Sequence, residues 1–169
     1  INFDIFELLD IQVIENRKLR FLFIGHQDIQ YMEKTFIPRS KTFKYQSRTV
    51  VLPGVPADEL VDIYNASDIC LWPRETTLSS IHAQVCRCNV IMENHDSNKE
   101  RVVNKHNLFE IGNVEAAKNV LSRVVGEINM GTINVDITSL ENREYHKQIK
   151  TLIESWEQLL SKRKSLFKY

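Results

Sequence analysis

The sequence is short of the features that announce a function. It carries no net charge, since 22 Lys and Arg balance 22 Asp and Glu, so no long-range field draws it to nucleic acid. Three cysteines in 169 residues are too few for a disulfide framework, which points to a reducing compartment. No uncharged apolar run approaches the roughly 20 residues that a membrane-spanning helix needs, and no segment has the pattern of a signal peptide. There is no internal repeat and no low-complexity tract. The stretch FIGHQDIQ lacks the repeated glycines that let a backbone reach a pyrophosphate, which argues against a dinucleotide oxidoreductase. The chain does not open with methionine, and the expectation is that its true start lies upstream. What remains is ordinary globular material, 43% hydrophobic and 26% charged, of a length that suits one domain with a sizeable core. The expectation is a cytoplasmic α/β domain.

Hydrophobic periodicity orders the elements. INFDIFELLDIQVIENRK places Ile5, Leu8, Leu9 and Ile11 or Val13 near one helical face. LRFLFIG is apolar at nearly every position, as a parallel strand covered on both faces would be. Gly25 ends it, and a helix starts in HQDIQYMEKTF. RTVVLPG reads as a second such strand. A helix over Ala57–Asn65, a strand over Asp68–Trp72, a helix over Leu78–Arg87 and the strand NVIME follow, with LFEI a short strand candidate. NVEAAKNVLSRVVGEI is a helix with Val114, Ala117, Val120, Leu121 and Val124 on one side, and TINVDI is a strand or merely extended. From Ser139 the chain reads as a long helix, with Thr138 and Glu141 spaced as a capping box. Strands alternating with helices predict an α/β fold with a doubly wound, Rossmann-like parallel sheet. Right-handed crossovers then bring Gly25, Pro53-Gly54, Pro73–Thr77 and Asn94–Ser97 to one edge, where such sheets bind ligands.

Several side chains on that edge suit an anionic, hydroxyl-rich ligand. TTLSSIH offers the N–H groups of Leu78, Ser79 and Ser80 and the hydroxyls of Thr76, Thr77, Ser79 and Ser80 at a helix start, a ready anion site. Thr77 or Ser79 can equally be a plain N-cap. Glu75 follows LWP at a strand end, where a carboxylate can bind sugar hydroxyls or pair with Arg74. The loop Gly54-Val55-Pro56 can contact a base, or serve only as a turn. His95 and Asp96 lie on the same edge and read as a solvated polar loop. His82, Cys86 and Cys88 have a zinc-like spacing, with His95 as a fourth ligand to be recruited. However, Val85 and Cys88 are expected on the face that packs against the sheet, and free cysteine is commonly a small buried hydrophobe. The core reading is preferred for Cys70, Cys86 and Cys88, and no metal is expected.

VVLPGVPADELVDIYNASDICLWP, IHAQVCRCNVIMEN and KERVVNKHNLFEIGNVEAAKNVLSRVV resemble, in that order, segments of one known domain. It is the C-terminal, donor-binding domain of retaining GT-B glycosyltransferases, glycosyltransferase family 4. ESWEQLLSKRKSLF resembles that domain's closing tryptophan helix, so the likeness runs from Leu19 onward. It implies a hexosyltransferase that moves a sugar from a nucleotide-diphosphate donor to a glycan, lipid or protein acceptor in polysaccharide synthesis, without metal or cofactor. Glu75 matches the first of the family's two glutamates and is the expected catalytic residue. The second glutamate holds the ribose hydroxyls. His82 falls in its place with six intervening residues, one fewer than the family pattern, and a neutral ring nitrogen can accept such a bond. The implied donor-binding set is Gly25, Gly54, Val55, Thr76, Thr77, Leu78, Ser79, Ser80 and His82.

The resemblance further implies that residues 1–169 form one domain closed by a helix over 139–169. The family's N-terminal acceptor domain, first strand and cationic Gly-Arg…Lys loop are expected outside this chain, which alone would be inactive. No nucleic acid and no transmembrane segment are expected, and the implied location is cytoplasmic or peripheral at the inner membrane face. The alternative is a degenerate, non-catalytic module that binds a nucleotide or a partner protein. His82 and the glycine-free turn favour it.

Overall fold

Phenylalanines organise the first part of the chain. In the computed structural model, which describes residues 2–10, 18–25, 28–74, 76–133, 135–143 and 145–166, helix α1 spans Asn2–Glu7 and strand β1 spans Phe21–Gly25. Side chains are described for the same residues except 141–143, 145, 146, 148 and those beyond 158. The α1 face that packs inward carries Phe3 and Ile5, followed by Leu9, whereas Leu8 is 44% exposed. Ile11 and Val13, expected on the same face, lie outside the described residues. Phe3 meets Phe23 at 4.7 Å between ring centroids and Phe6 meets Phe21 at 4.6 Å. Phe36, Phe43 and Tyr45 complete the aromatic cluster. Edge and tilted contacts of this kind add about 0.5–1.5 kcal/mol per pair beyond their buried area. The Tyr45 hydroxyl donates to the Leu9 carbonyl at 2.9 Å, so its polar end is satisfied in the core.

A helix in three pieces returns the chain from β1. Ile29–Tyr31 is α-helical, Met32–Phe36 is π-helical and Ile37–Thr42 is α-helical again; together they are α2. The Asp28 carboxylate caps its start by accepting the Tyr31 N–H at 2.8 Å. Pro38 offers no N–H and its ring would press on the Lys34 carbonyl of a regular α-turn, which the wider π-turn avoids. Strand β2, Thr49–Pro53, then pairs in parallel with β1, Phe21 opposite Thr49 and Gly25 opposite Pro53.

The second sheet is built by α3 (Glu59–Asn65), β3 (Ile69–Trp72), α4 (Ser79–Val85), β4 (Asn89–Glu93), α5 (Asp96–Arg101) and β5 (Leu108–Phe109). Its order is β3-β4-β5, all parallel. The period of two along each strand divides its side chains between two cores. Ile69, Leu71, Ile91 and Phe109 join the aromatic cluster. Cys70, Trp72, Val90, Met92 and Leu108 face a second cluster with Tyr64 of α3 and Ala83 of α4. All five residues of β4 are buried. A single doubly wound sheet is not what forms: among the described residues β1 pairs only with β2, and β3 only with β4, giving two parallel sheets. The α/β class and the parallel strands agree with the expectation, and the continuity of the sheet does not.

Helix α6, Val114–Met130, buries Ala117, Leu121, Val124 and Val125, close to the expected stripe. The Asn113 side chain caps it by accepting the Ala116 N–H at 2.9 Å. Gly131, in the left-handed region at φ 64°, ends it, a conformation that glycine adopts without a Cβ penalty. TINVDI forms no strand among its described residues.

The chain divides into two compact units, Ile1–Val135 and Asp136–Tyr169. The second holds a 3₁₀ turn, Thr138–Arg143, and α7, Tyr145–Leu166. The Asp136 carboxylate accepts the N–H and the hydroxyl of Thr138. The α-helix, from Tyr145, begins later than expected. No described helix is long and apolar enough to cross a membrane.

Candidate functional site at the carboxyl ends of β3, β4 and β5

Burying polar groups costs about 1–3 kcal/mol each unless they find partners, so where a protein buries them is informative. Among the described residues the buried polar ones are Ser80, Gln84, Asn89, Glu93, Asn98 and Asn107. All six belong to the second sheet and its connections.

Glu93 closes β4 and is 3% exposed. One carboxylate oxygen accepts the Gly112 N–H at 3.0 Å, and the other lies 3.1 Å from His95 Nε2. Gly112 sits at φ 73° in the turn after β5, a left-handed position that leaves its N–H aimed back at β4. When His95 donates from Nε2, its Nδ1 is the acceptor nitrogen. The Asn98 amide donates to the Glu93 carbonyl at 2.9 Å, and its Oδ1 accepts the Thr76 hydroxyl at 3.2 Å. Thr76 Oγ1 also lies 3.3 Å from Ser97 Oγ. One hydrogen-bonded chain thus ties the carboxyl ends of three parallel strands, through Thr76 after β3, Glu93 on β4 and Gly112 after β5. Asp96, beside it, has its carboxyl held below the usual range by the Lys99 ammonium, 2.9 Å away.

The start of α4 is arranged differently from a bare anion site. Thr77 Oγ1 accepts the Ser79 N–H at 3.2 Å, and the Thr77 carbonyl accepts the Ser80 N–H at 3.4 Å and its hydroxyl at 2.6 Å. Thr77 thus holds the turn just before the N-cap position, Leu78, and Ser80 is fully buried. Thr76 and Leu78 are exposed, Thr77 and Ser79 half-buried, and His82 is exposed on the outer side of α4. A phosphate at this helix start would have to displace the Thr77 hydroxyl. Glu75, the expected catalytic carboxylate, lies outside the described residues. Gly25 and Val55 are half-buried and Gly54 exposed, at the ends of β1 and β2, so they stand on a different hydrogen-bonded sheet from Thr76–His82.

Gln84 braces the site from behind. Its amide nitrogen donates to the Ser80 carbonyl at 2.8 Å and the Arg101 carbonyl at 3.0 Å, and its oxygen accepts the Val103 N–H at 2.7 Å. It therefore locks α4 to the end of α5. Val85, expected against the sheet, is instead 53% exposed. The inward face of α4 is Ser80, Ala83 and Gln84 because the helix ends at Val85 and Arg87 turns left-handed at φ 65°. That turn swings Cys88 into the core, where its thiol donates to Cys70 Sγ at 3.0 Å. No group of three or more His, Cys, Asp or Glu among the described residues has an arrangement fit for a metal ion. A cavity of about 510 Å³ lies between α1 and α2, lined by Phe3, Tyr31, Lys34 and Arg39 among others. Arg39, its guanidinium, is already held by Asp4 at 2.9 Å and Glu7 at 2.7 Å, so the polar network rather than this cavity is the candidate site.

Glu93, Asn98 and Gln84 were not singled out by the sequence. Glu93 left one signal, a charge closing an otherwise apolar strand. Gln84 and Asn98 left none, because an amide between helix residues looks like surface. No protein-family model matches the chain, and comparison with curated proteins finds no match.

Proposed function

We propose that this chain is the donor-binding part of a glycosyltransferase, taking a nucleotide-diphosphate sugar at the carboxyl ends of β3, β4 and β5. The observation that carries the reading is Glu93. It is a buried carboxylate at the end of a central parallel strand, held by a histidine ring and a backbone N–H, where open α/β sheets receive ligands. The resemblance to the GT-B donor domain supplies the ligand class. Carboxylate, imidazole and hydroxyl groups suit sugar and ribose hydroxyls, and the Ser79 N–H suits a diphosphate once the Thr77 hydroxyl swings away. On this reading Glu75 acts on the donor sugar and His82 accepts from the ribose. Helix N–H groups stabilise the leaving diphosphate, and the acceptor is held by another domain of the whole enzyme.

A second reading, a non-catalytic nucleotide- or protein-binding module, is favoured by one observation: Thr77 already occupies the Ser79 and Ser80 N–H groups. Equilibrium dialysis against UDP and GDP tests the binding that the first reading requires. It predicts a millimolar Kd, about 4 kcal/mol of binding free energy, severalfold weaker in Thr76→Val and retained or tightened in His82→Glu. No uptake at millimolar nucleotide by the wild-type chain would overturn it in favour of a protein-binding module.

A further inference from the structure

Three cysteines meet in the second core, and two of them touch. Cys70, in the middle of β3, is half-buried, and Cys88, the residue before β4, is fully buried. Their sulfurs are 3.0 Å apart. A disulfide needs about 2.05 Å, so closure asks for a relative shift of about 1 Å at a junction where α4 has just ended. Cys86, half-buried, packs against the same cluster. The simplest account of such a group is three small hydrophobes filling a core, but a core contact does not require two sulfurs to point at each other.

We propose that Cys70 and Cys88 are a reversible dithiol–disulfide pair, oxidised by a small peroxide, that staples β3 to the entrance of β4. The two sulfurs have different parts because their surroundings differ. Cys70 is the one that a small oxidant can reach, and it accepts the Cys88 S–H. Cys88 is sealed, and its S–H bond to Cys70, together with burial, raises its thiol well above the ordinary range, so it keeps its proton. In the first step the Cys70 thiol gives up its proton as its sulfur attacks one peroxide oxygen; the O–O bond breaks, the leaving hydroxide takes up a proton as water, and a sulfenic acid remains on Cys70. In the second, Cys88 sulfur attacks Cys70 sulfur and the S–O bond breaks. The departing hydroxide takes the Cys88 proton as water. Two thiols lose two electrons in all, and hydrogen peroxide is reduced to two waters. A dithiol reductant reverses the change. The new bond closes the loop from β3 through α4 to β4, the loop that carries Thr76–His82, and removes freedom from the unfolded chain.

The test is non-reducing peptide mapping of the full chain after hydrogen peroxide and quenching of remaining thiols. A Cys70–Cys88 cross-linked peptide is expected, with the intact protein lighter by two hydrogens, a raised denaturant midpoint, and recovery of both thiols on dithiothreitol. Cys86→Ser leaves the cross-link in place, and Cys70→Ala abolishes it. The wild-type map needs no variant to fold. Cys70 and Cys88 recovered as free thiols while Cys86 is oxidised would overturn the proposal, as would a cross-link running through Cys86 or between two chains.

Discussion

The two sheets solve the same problem unequally. β1 and β2 present Phe21 and Phe23 to the aromatic cluster on one face, while Leu22, Val50 and Val51 are 44%, 52% and 40% exposed. β4 is buried along its whole length, with Ile91 in one core and Val90 and Met92 in the other. The difference extends to chemistry. The first sheet is held by rings, among them Tyr45 with its hydroxyl on the Leu9 carbonyl, whereas six buried polar residues among those described belong to the second sheet and its connections. Gln84 and Asn98 lie on helices α4 and α5, and Asn89 and Asn107 lie at the amino ends of β4 and β5. Glu93, a buried carboxylate at the carboxyl end of β4 with His95 and Asn98 bonded to it, is the reason to look for a ligand there.

The largest effect should come from the centre of the second sheet. Ile91→Ala, at a fully buried position with neighbours on both sides, should lose about 2–5 kcal/mol in urea unfolding. Val50→Ala, on the open face of β2, should stay within about 0.5 kcal/mol. Equal losses would erase the contrast between the sheets. Next is an alkaline sensitivity in the second core. Cys88 holds its proton in the folded state to higher pH than the ordinary thiol value of 9.0. Its contribution is complete below about pH 9 and falls as pH rises above it, by up to about 1.4 kcal/mol per pH unit for one proton. Under excess reductant, Cys88→Ala should flatten that slope; an unchanged slope would mean that the core admits a thiolate. The smallest effect has the opposite sign. Arg87 is held at φ 65°, which costs a side chain about 1–2 kcal/mol that glycine escapes. Arg87→Gly should therefore raise stability by about 1 kcal/mol, readable as a higher urea midpoint.

What the sequence made legible was what a single element needs for itself. NVIME, DICLW and the α6 stripe read correctly because a strand or helix buried in a core must be apolar in its own period. LRFLFIG and RTVVLPG have the apolar run of strands covered on both faces, yet Leu22 and Val50 are exposed. An apolar run reports that a strand can be covered, not which helix covers it. The split between the sheets was illegible for a related reason, since strand pairing is made between residues that no local pattern links. The candidate site was legible only in part. The sequence puts Thr76 and His95 after strand ends, where the structure has them, but Thr76 and Asn98 are 22 residues apart in sequence, and only the β3-β4 register brings them together. Thr77 reads two ways from sequence, and in the structure its hydroxyl accepts the Ser79 N–H one residue before the N-cap position, Leu78.

On the proposed reading the carboxyl edge of β3-β4-β5 receives a nucleoside diphosphate, and amide chemical-shift mapping of the chain with UDP or GDP checks this. Shifts should appear at Thr76–His82, Glu93–Asn98 and Gly112, growing through millimolar nucleotide, with residues of α7 unmoved. Shifts confined to α7, or none at millimolar nucleotide, would rule the reading out.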